Sequence, residues 1–440
     1  MNVVQLAARQ NRNISPLARS GIVAALDIGS SKISCVIAEA AGTRSKLLTD
    51  DRQSLRVLGF GQTATRGVRA GAITDINQAE CAIRLAVDAA ERMAQTSISE
   101  VVVVISGGKP TSTALRGLAK TQTGIVGPGD LESAIASALS GVSMERRSVV
   151  HLHPINHTLD GFTDIEKPLG MHGEQLQVDV GLTTLDTGYL CNISQAVSRA
   201  HLDVSDFIIA PYASAKAALT IDEQAMGTLV IDLGGAVTSL AFVKSGKLIC
   251  AASIILGGQH VTNDIAQGLS TSVSHAERMK TLFGSAIEGG HGDREMLAVP
   301  LLGEHGTEAV HHIPRAHLAS IMRARLEEIF EHCNAVLALD AFGRAATARV
   351  VLTGGASQSS GLRELASYVL QRNVRLGAAA ALTNLPEAQR SGSFAAVTGA
   401  LVYAANPEAK YALPQQTKAN FERAQMGYAK RFGHWLAEAL

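Results

Sequence analysis

One short pattern occurs twice in the chain: an apolar run ending on aspartate, one further apolar residue, a glycine, then a second apolar run. The first copy is Val23-Ala24-Ala25-Leu26-Asp27-Ile28-Gly29-Ser30-Ser31-Lys32, continued by the apolar stretch 33–38. The second is Leu229-Val230-Ile231-Asp232-Leu233-Gly234-Gly235, continued by Ser239-Leu240-Ala241-Phe242-Val243. Each reads as strand, Asp-x-Gly turn, strand. Such an ending sets a carboxylate and bare backbone amides at the edge of a sheet. Glycine accepts positive φ and lets a ligand approach closely. Exposed amides form an anion nest, and a carboxylate can hold hydrated Mg²⁺. A single turn of this kind is more often an ordinary one, capped by its own aspartate. Here a third glycine turn follows another strand, Val350-Val351-Leu352-Thr353-Gly354-Gly355-Ala356-Ser357, with a helix expected from Ser359 or Ser360. Two carboxylates and three glycine turns can converge on one polyphosphate if two halves of the chain face each other across a cleft.

At 440 residues the chain is too long for one compact core and suits two or more domains. It is 46% hydrophobic but only 4% aromatic, so its cores are built from Ala, Val, Leu and Ile, as in α/β sheets. A formal net charge of zero gives a nucleic-acid partner no electrostatic support. The cysteines (Cys35, Cys81, Cys191, Cys250, Cys333) are far apart, which suits reduced core cysteines of a cytosolic protein. The first twenty residues carry arginines and asparagines and read as a disordered tail, not a signal peptide. No apolar run is long enough to predict a transmembrane helix.

The constellation resembles the actin/Hsp70 ATPase superfamily, whose two phosphate motifs and adenosine motif follow in this order. Glu277-Arg278-Met279-Lys280 looks like that superfamily's ribose- and adenine-contacting helix, and Gly257-Gly258 like its extra phosphate-side turn. The wording Val351-Leu352-Thr353-Gly354-Gly355-Ala356 is similar to that of the FtsA family, the actin homologues of bacterial cell division. The resemblance runs over residues 21–440. It implies an α/β, actin-like two-lobed ATPase fold with an inserted α+β subdomain and a C-terminal amphipathic helix.

On this frame, residues 1–20 are a tail and 21–98 the first part of the first lobe. The latter ends in a helix with Ile76, Ala79, Ile83, Val87, Ala90 and Met93 at helical spacing and Asp75 as cap. Residues 99–180 read as the inserted subdomain, whose expected use is contact with other division proteins. It holds a strand at 101–105, a helix capped by Asp130, and strands near 149–150 and 176–180. Gly107-Gly108-Lys109 could pass for a phosphate loop, but Pro110 stands where a Ser/Thr-bearing helix should begin. His151, His153 and His157 could present a metal site. No cysteine or carboxylate lies at partner spacing, so they read as packed or surface residues, like His311 and His312. Residues 181–215 return to the first lobe. The second lobe takes 216–258 and 340–380 as core and 259–339 as outer part, with a long helix over 315–338. Residues 381–406 bring a closing helix back onto the first lobe, where Gly399 allows close packing.

Residues 407–425 read as a flexible tether. In 426–440, Tyr428, Phe432, Trp435, Leu436 and Leu440 share one helical face, with Lys430 and Arg431 off it. Such a helix can lie in a bilayer interface or dock on its own protein; the resemblance points to the membrane. A helix this short binds weakly, so stable attachment calls for several copies, as a filament presents.

The resemblance further implies ATP as ligand, with Asp27 and Asp232 holding Mg²⁺ through waters. It assigns the phosphates to Gly29, Ser30, Ser31, Lys32, Gly234 and Gly235, with Gly257 and Gly258 beside them. Gly354, Gly355 and Ala356 would meet the adenosine, and Glu277 and Lys280 the ribose and base. The tubulin homologue FtsZ would be caught near Arg325 and Glu328, at the inner face of the cytoplasmic membrane, where the chain polymerises and later division proteins are recruited. One departure stands out: where the family has a third glycine and then a hydroxyl residue and a carboxylate, this chain reads Ala236-Val237-Thr238-Ser239. Binding with slow or no hydrolysis is therefore expected. A pilus-assembly or cell-shape scaffold, or a sugar-kinase-type enzyme of the same superfamily, are the alternative readings.

Overall fold

The computed structural model describes residues 21–40, 55–289, 292–303, 310–345 and 347–406. The expected N-terminal tail, the tether 407–425 and the helix 426–440 lie outside them.

Strands β1 (Ile22–Ile28), β2 (Lys32–Ala40) and β3 (Leu55–Ala64) form an antiparallel meander. A ribbon of β4 (Val68–Arg69) and β5 (Ala72–Ile73) leads into α1 (Ile76–Ala94). The Asp75 carboxylate caps α1, accepting from the N–H of Asn77 at 3.0 Å and of Gln78 at 3.1 Å. β6 (Glu100–Ile105) then lies parallel beside β1. The inserted sheet consists of β7 (Thr111–Lys120), β8 (Arg147–Leu159), β9 (Phe162–Ile165) and β10 (Gln175–Asp186), in the order β7-β10-β8-β9. Its own small core is shared with α1's successor α2 (Pro128–Leu139). α3 (Thr187–Arg199) and β11 (Asp203–Ile209) return to the first lobe and complete a sheet of order β11-β6-β1-β2-β3.

Helices α4 (Ala210–Ala218) and α5 (Ile221–Met226) lead to the second lobe. There β12 (Thr228–Leu233), β13 (Thr238–Lys244) and β14 (Lys247–Ile254) repeat the meander. The outer part holds α6 (Gly258–Gly268), α7 (Val273–Phe283), the ribbon β15 (Met296–Pro300) with β16 (Val310–Pro314), and α8 (Arg315–Leu337). β17 (Arg349–Thr353), α9 (Leu362–Leu370) and β18 (Val374–Leu376) complete a sheet of order β14-β13-β12-β17-β18. The closing helix α10 (Ala395–Ala405) packs on α4, β1 and β2. The two large sheets are thus topological copies, a meander followed by two parallel strands. The parallel strands are covered on both faces, and accordingly β12 is buried at every residue and β6 at all but its first.

Three sequence expectations need correction. The strand at 101–105, assigned to the insertion, is β6 and sits between β1 and β11 in the first lobe's sheet. Its unbroken valine run suits a doubly covered strand, not the half-exposed insertion. Asp130 is not the cap of α2: it lies inside the first turn and its carboxylate reaches back to the N–H of Gly127 at 2.9 Å. Neither Ser359 nor Ser360 caps α9. Gly361, with φ +73°, takes that position after a 3₁₀ turn over Gly355–Gln358. Of the cysteines, Cys35, Cys250 and Cys333 are buried, while Cys81 is exposed on α1. No helix among the described residues is long and apolar enough to cross a membrane.

Candidate functional site

The repeated motif folds into two equivalent turns. Asp27 lies next to last in β1 and pairs across the sheet with Ser34; Asp232 lies next to last in β12 and pairs with Ser239. In each turn the glycine N–H is bonded to the carbonyl three residues on, Gly29 to Lys32 at 3.1 Å and Gly234 to Val237 at 3.0 Å. Asp232 is buried and Asp27 half-buried, and Asp27 lies within reach of the Asp232 charge. Burial, and then the charge of Asp232, push the Asp27 carboxyl up to about 7, with Lys32 pulling the other way. Burial likewise raises Asp232, although the hydroxyls of Ser214 and Thr353 and the Lys32 ammonium favour its charged form. The Lys32 ammonium is itself lowered to about 8, by burial above all.

The other second-lobe turns close on Asp232. Gly354 has φ +89°, and a Cβ there would fall 2.3 Å from the Leu233 carbonyl oxygen and 2.7 Å from Asp232 Oδ1, so glycine is required on both counts. The Gly257–Gly258 turn is bonded to the Asp-x-Gly turn: Gly258 N–H donates to Gly234 O at 3.0 Å and Gln259 N–H to Gly235 O at 2.6 Å. Lys280 on α7 donates to Gly258 O at 3.1 Å, to Thr262 Oγ1 at 2.7 Å and to Glu277 at 2.6 Å. Burial raises the Glu277 carboxyl, but its bonds from Lys280 and Thr262 outweigh that and hold it low. This pair therefore pins α7 to the phosphate-side turn. Gly355 and Ala356 lie in the 3₁₀ turn beyond Gly354, with Ala356 against Gly258.

The two halves of the site meet directly. A Cβ on Gly235 would fall 2.2 Å from Ser31 Oγ, so the Asp-x-Gly turns approach as closely as glycine permits. Ser30 Oγ accepts from Gly71 N–H at 3.1 Å, and Thr65 Oγ1 donates to Gly29 O at 2.8 Å. The structure thus brings Asp27, Gly29, Ser30, Ser31, Lys32, Asp232, Gly234, Gly235, Gly257, Gly258, Glu277, Lys280, Gly354, Gly355 and Ala356 around one cleft. A polyphosphate and a hydrated cation fit this cradle on two observations. Two carboxylates share one neighbouring ammonium and the charge of Asp232 bears on Asp27, so a divalent cation relieves their repulsion. Glycines also keep the facing turns free of side chains.

Sequence reasoning missed three contributors. Ser214 of α4 donates to Asp232 Oδ2 at 2.6 Å; a hydroxyl inside the small, buried run of that helix was its signal. Lys32 Nζ sits 3.3 Å above the Phe394 ring, one of only ten phenylalanines in the chain. Gln259, directly after Gly257 and Gly258, reaches across to the first turn, its Nε2 3.3 Å from Ser30 O. Gly107, Gly108 and Lys109 form the root of the insertion, where Gly107 N–H donates to the Tyr189 hydroxyl at 3.3 Å and that hydroxyl donates to Gly71 O at 3.0 Å.

Elsewhere, Arg325 on α8 is bonded to Glu328 and to Asp264 of α6, at 3.0 Å from Nη2 to Oδ1. His151 and His153 stack 5.9 Å apart inside the molecule against Tyr212, as the packed-histidine reading expects. His157 is also buried and bonded to Ile165 O, whereas His311 and His312 are exposed on β16. The residues expected to face a membrane, Tyr428 to Leu440, lie outside the described residues.

Fold and cleft together define an actin-like molecule: two equivalent α/β lobes with paired aspartate turns facing each other. Solved structures with this fold include the PilM-PilN type IV pilus biogenesis complex (TM-score 0.59, 18% identity, 88% of this chain and 99% of that one). Another is MreB5 of Spiroplasma citri bound to ADP (TM-score 0.51, 12% identity, 91% and 98%). The match to the family model "Cell division protein FtsA" spans residues 229–399, and that to "SHS2 domain inserted in FTSA" spans 107–184. The cell division protein FtsA of Rhizobium meliloti is 38% identical over 389 residues, 88% of each chain. The chain belongs to the FtsA family of cell-division proteins.

Proposed function

We propose that the chain is an ATP-dependent membrane adapter of bacterial division, which polymerises at the inner face of the cytoplasmic membrane, tethers FtsZ there and helps assemble the Z ring. The observation that carries this reading is the convergence of Asp27 and Asp232, from equivalent turns of two lobes, on one glycine-lined cleft. ATP sits between the lobes, its phosphates at the amides of Gly29 to Ser31 and of Gly234 and Gly235, its adenosine side at Gly354 to Ala356. Mg²⁺ supplies charge neutralisation there, held through waters by Asp27 and Asp232. Lys32 adds a compact positive charge. Glu277 and Lys280 shape the ribose and base side. Ser239 lies beside Asp232, where a carboxylate would help orient a water, so this chain binds ATP and turns it over slowly.

Membrane contact falls to 426–440: Tyr428, Phe432, Trp435, Leu436 and Leu440 form an apolar face, with Lys430 and Arg431 for anionic lipids. FtsZ is taken near Arg325 and Glu328 on α8, and later division proteins at the insertion. Family membership supports this reading over a pilus, cell-shape or sugar-kinase role. Thermal melting with MgATP tests it: MgATP raises the wild-type melting temperature and leaves that of Asp232→Asn unchanged. A wild-type chain that does not respond to MgATP contradicts it.

A further inference from the structure

Gln259 is the second residue of α6, on the second lobe, yet its side chain reaches the first lobe. Its Nε2 lies 3.3 Å from Ser30 O and 3.4 Å from Ser31 Oγ. Its own N–H is held by Gly235 O at 2.6 Å, so the residue is anchored to one Asp-x-Gly turn while its carboxamide touches the other. The preceding residue, Gly258, faces the opposite way along the cleft: a Cβ there would fall 3.0 Å from Ala356 Cβ, and Lys280 is bonded to its carbonyl. Resting on the nucleotide reading above, a ligand laid from the Ala356 and Lys280 side toward the first turn ends at Ser31 and Gln259.

We infer that Gln259 is a specificity-determining residue for the terminal phosphate, and that it sets the preference for ATP over ADP. The two carboxamide bonds are long for N–H···O and go to neutral acceptors. A terminal phosphate oxygen offers the same amide a charged acceptor, a shorter and stronger bond. The amide donates without adding charge to a site that already holds two carboxylates and a lysine. A diphosphate stops short of this amide and leaves the Gln259 bridge to Ser30 and Ser31 in place. The residue therefore distinguishes the two nucleotides while contributing little to what they share.

Calorimetric titration of the full chain with MgATP and with MgADP tests this, using Gln259→Ala and Gln259→Glu. For Gln259→Ala the expected result is about tenfold weaker ATP binding with ADP binding within about twofold, the scale of one hydrogen bond to a charged group. Gln259→Glu places a carboxylate beside the terminal phosphate and lowers ATP affinity further, again with little effect on ADP. ATP and ADP affinities that fall by the same factor, or an ATP-to-ADP ratio unmoved in both variants, overturn the inference while leaving the nucleotide reading intact. A wild-type chain that binds neither nucleotide overturns both.

Discussion

Asp27 and Asp232 are placed where neither can be comfortable without a ligand. Asp232 is buried and Asp27 half-buried, Asp27 feels the charge of Asp232, and one lysine serves both. Such a pair trades stability for binding. Replacing Asp232 by Asn should therefore raise the melting temperature of the nucleotide-free protein while abolishing the MgATP response. A variant that melts below wild type without nucleotide argues against the strained pair. At the same scale, Ser239 beside Asp232 predicts slow hydrolysis or none. Brisk multiple-turnover ATP hydrolysis by purified protein contradicts it.

Among the elements, α10 and α4 cross at Gly399, where a Cβ would fall 1.8 Å from the Ala213 carbonyl oxygen. Gly399→Val should force the helices apart and cost about 3 kcal/mol, read as a lower melting temperature; an unchanged melt would mean the contact is slack. β8 carries a second liability. His151 and His153 pack against Tyr212 of α4, and His151 also against Tyr403 of α10, with the charges of Lys216 of α4 and Lys247 of β14 nearby. Burial first, then the neighbouring positive charges, hold His151 well below its usual value and His153 at about 3. Unfolded histidine titrates near 6.5, so both are neutral when folded and this stability is intact above that pH. It is lost as pH falls from about 6.5 toward 3, roughly 2 kcal/mol from His153 alone by pH 5. His153→Phe should lose less stability than wild type between pH 7.5 and pH 5; equal losses contradict the assignment.

The same elements show what could be read from residues alone. The meanders were legible because Asp-x-Gly turns interrupt apolar runs twice at matching offsets, and α1 because its apolar spacing and Asp75 agree. The edge of the insertion was not: β6 is an apolar run like any other, and only its pairing with β1 and β11 assigns it. The α9 cap was missed because Gly361 works through backbone conformation, where serines advertise a side chain. Within the site, glycines and aspartates were visible, but Ser214 and Gln259 act across more than one element, which local pattern cannot express.

At the scale of the whole molecule, two sheets of one topology present the same turn to a shared cleft, and the insertion leans on both lobes. Its Ser112 hydroxyl accepts from the Ala251 N–H of β14 at 2.9 Å, and His151 Nε2 accepts from Ile209 N–H at 3.2 Å. The insertion is thus bonded to a strand of each large sheet. The most direct test of the account is vesicle flotation: FtsZ, MgATP and anionic lipid vesicles, with either the full chain or a chain ending at Asn406. The account predicts that FtsZ floats with the vesicles only in the presence of the full chain. FtsZ left at the bottom of the gradient, although the full chain has bound MgATP, would contradict it.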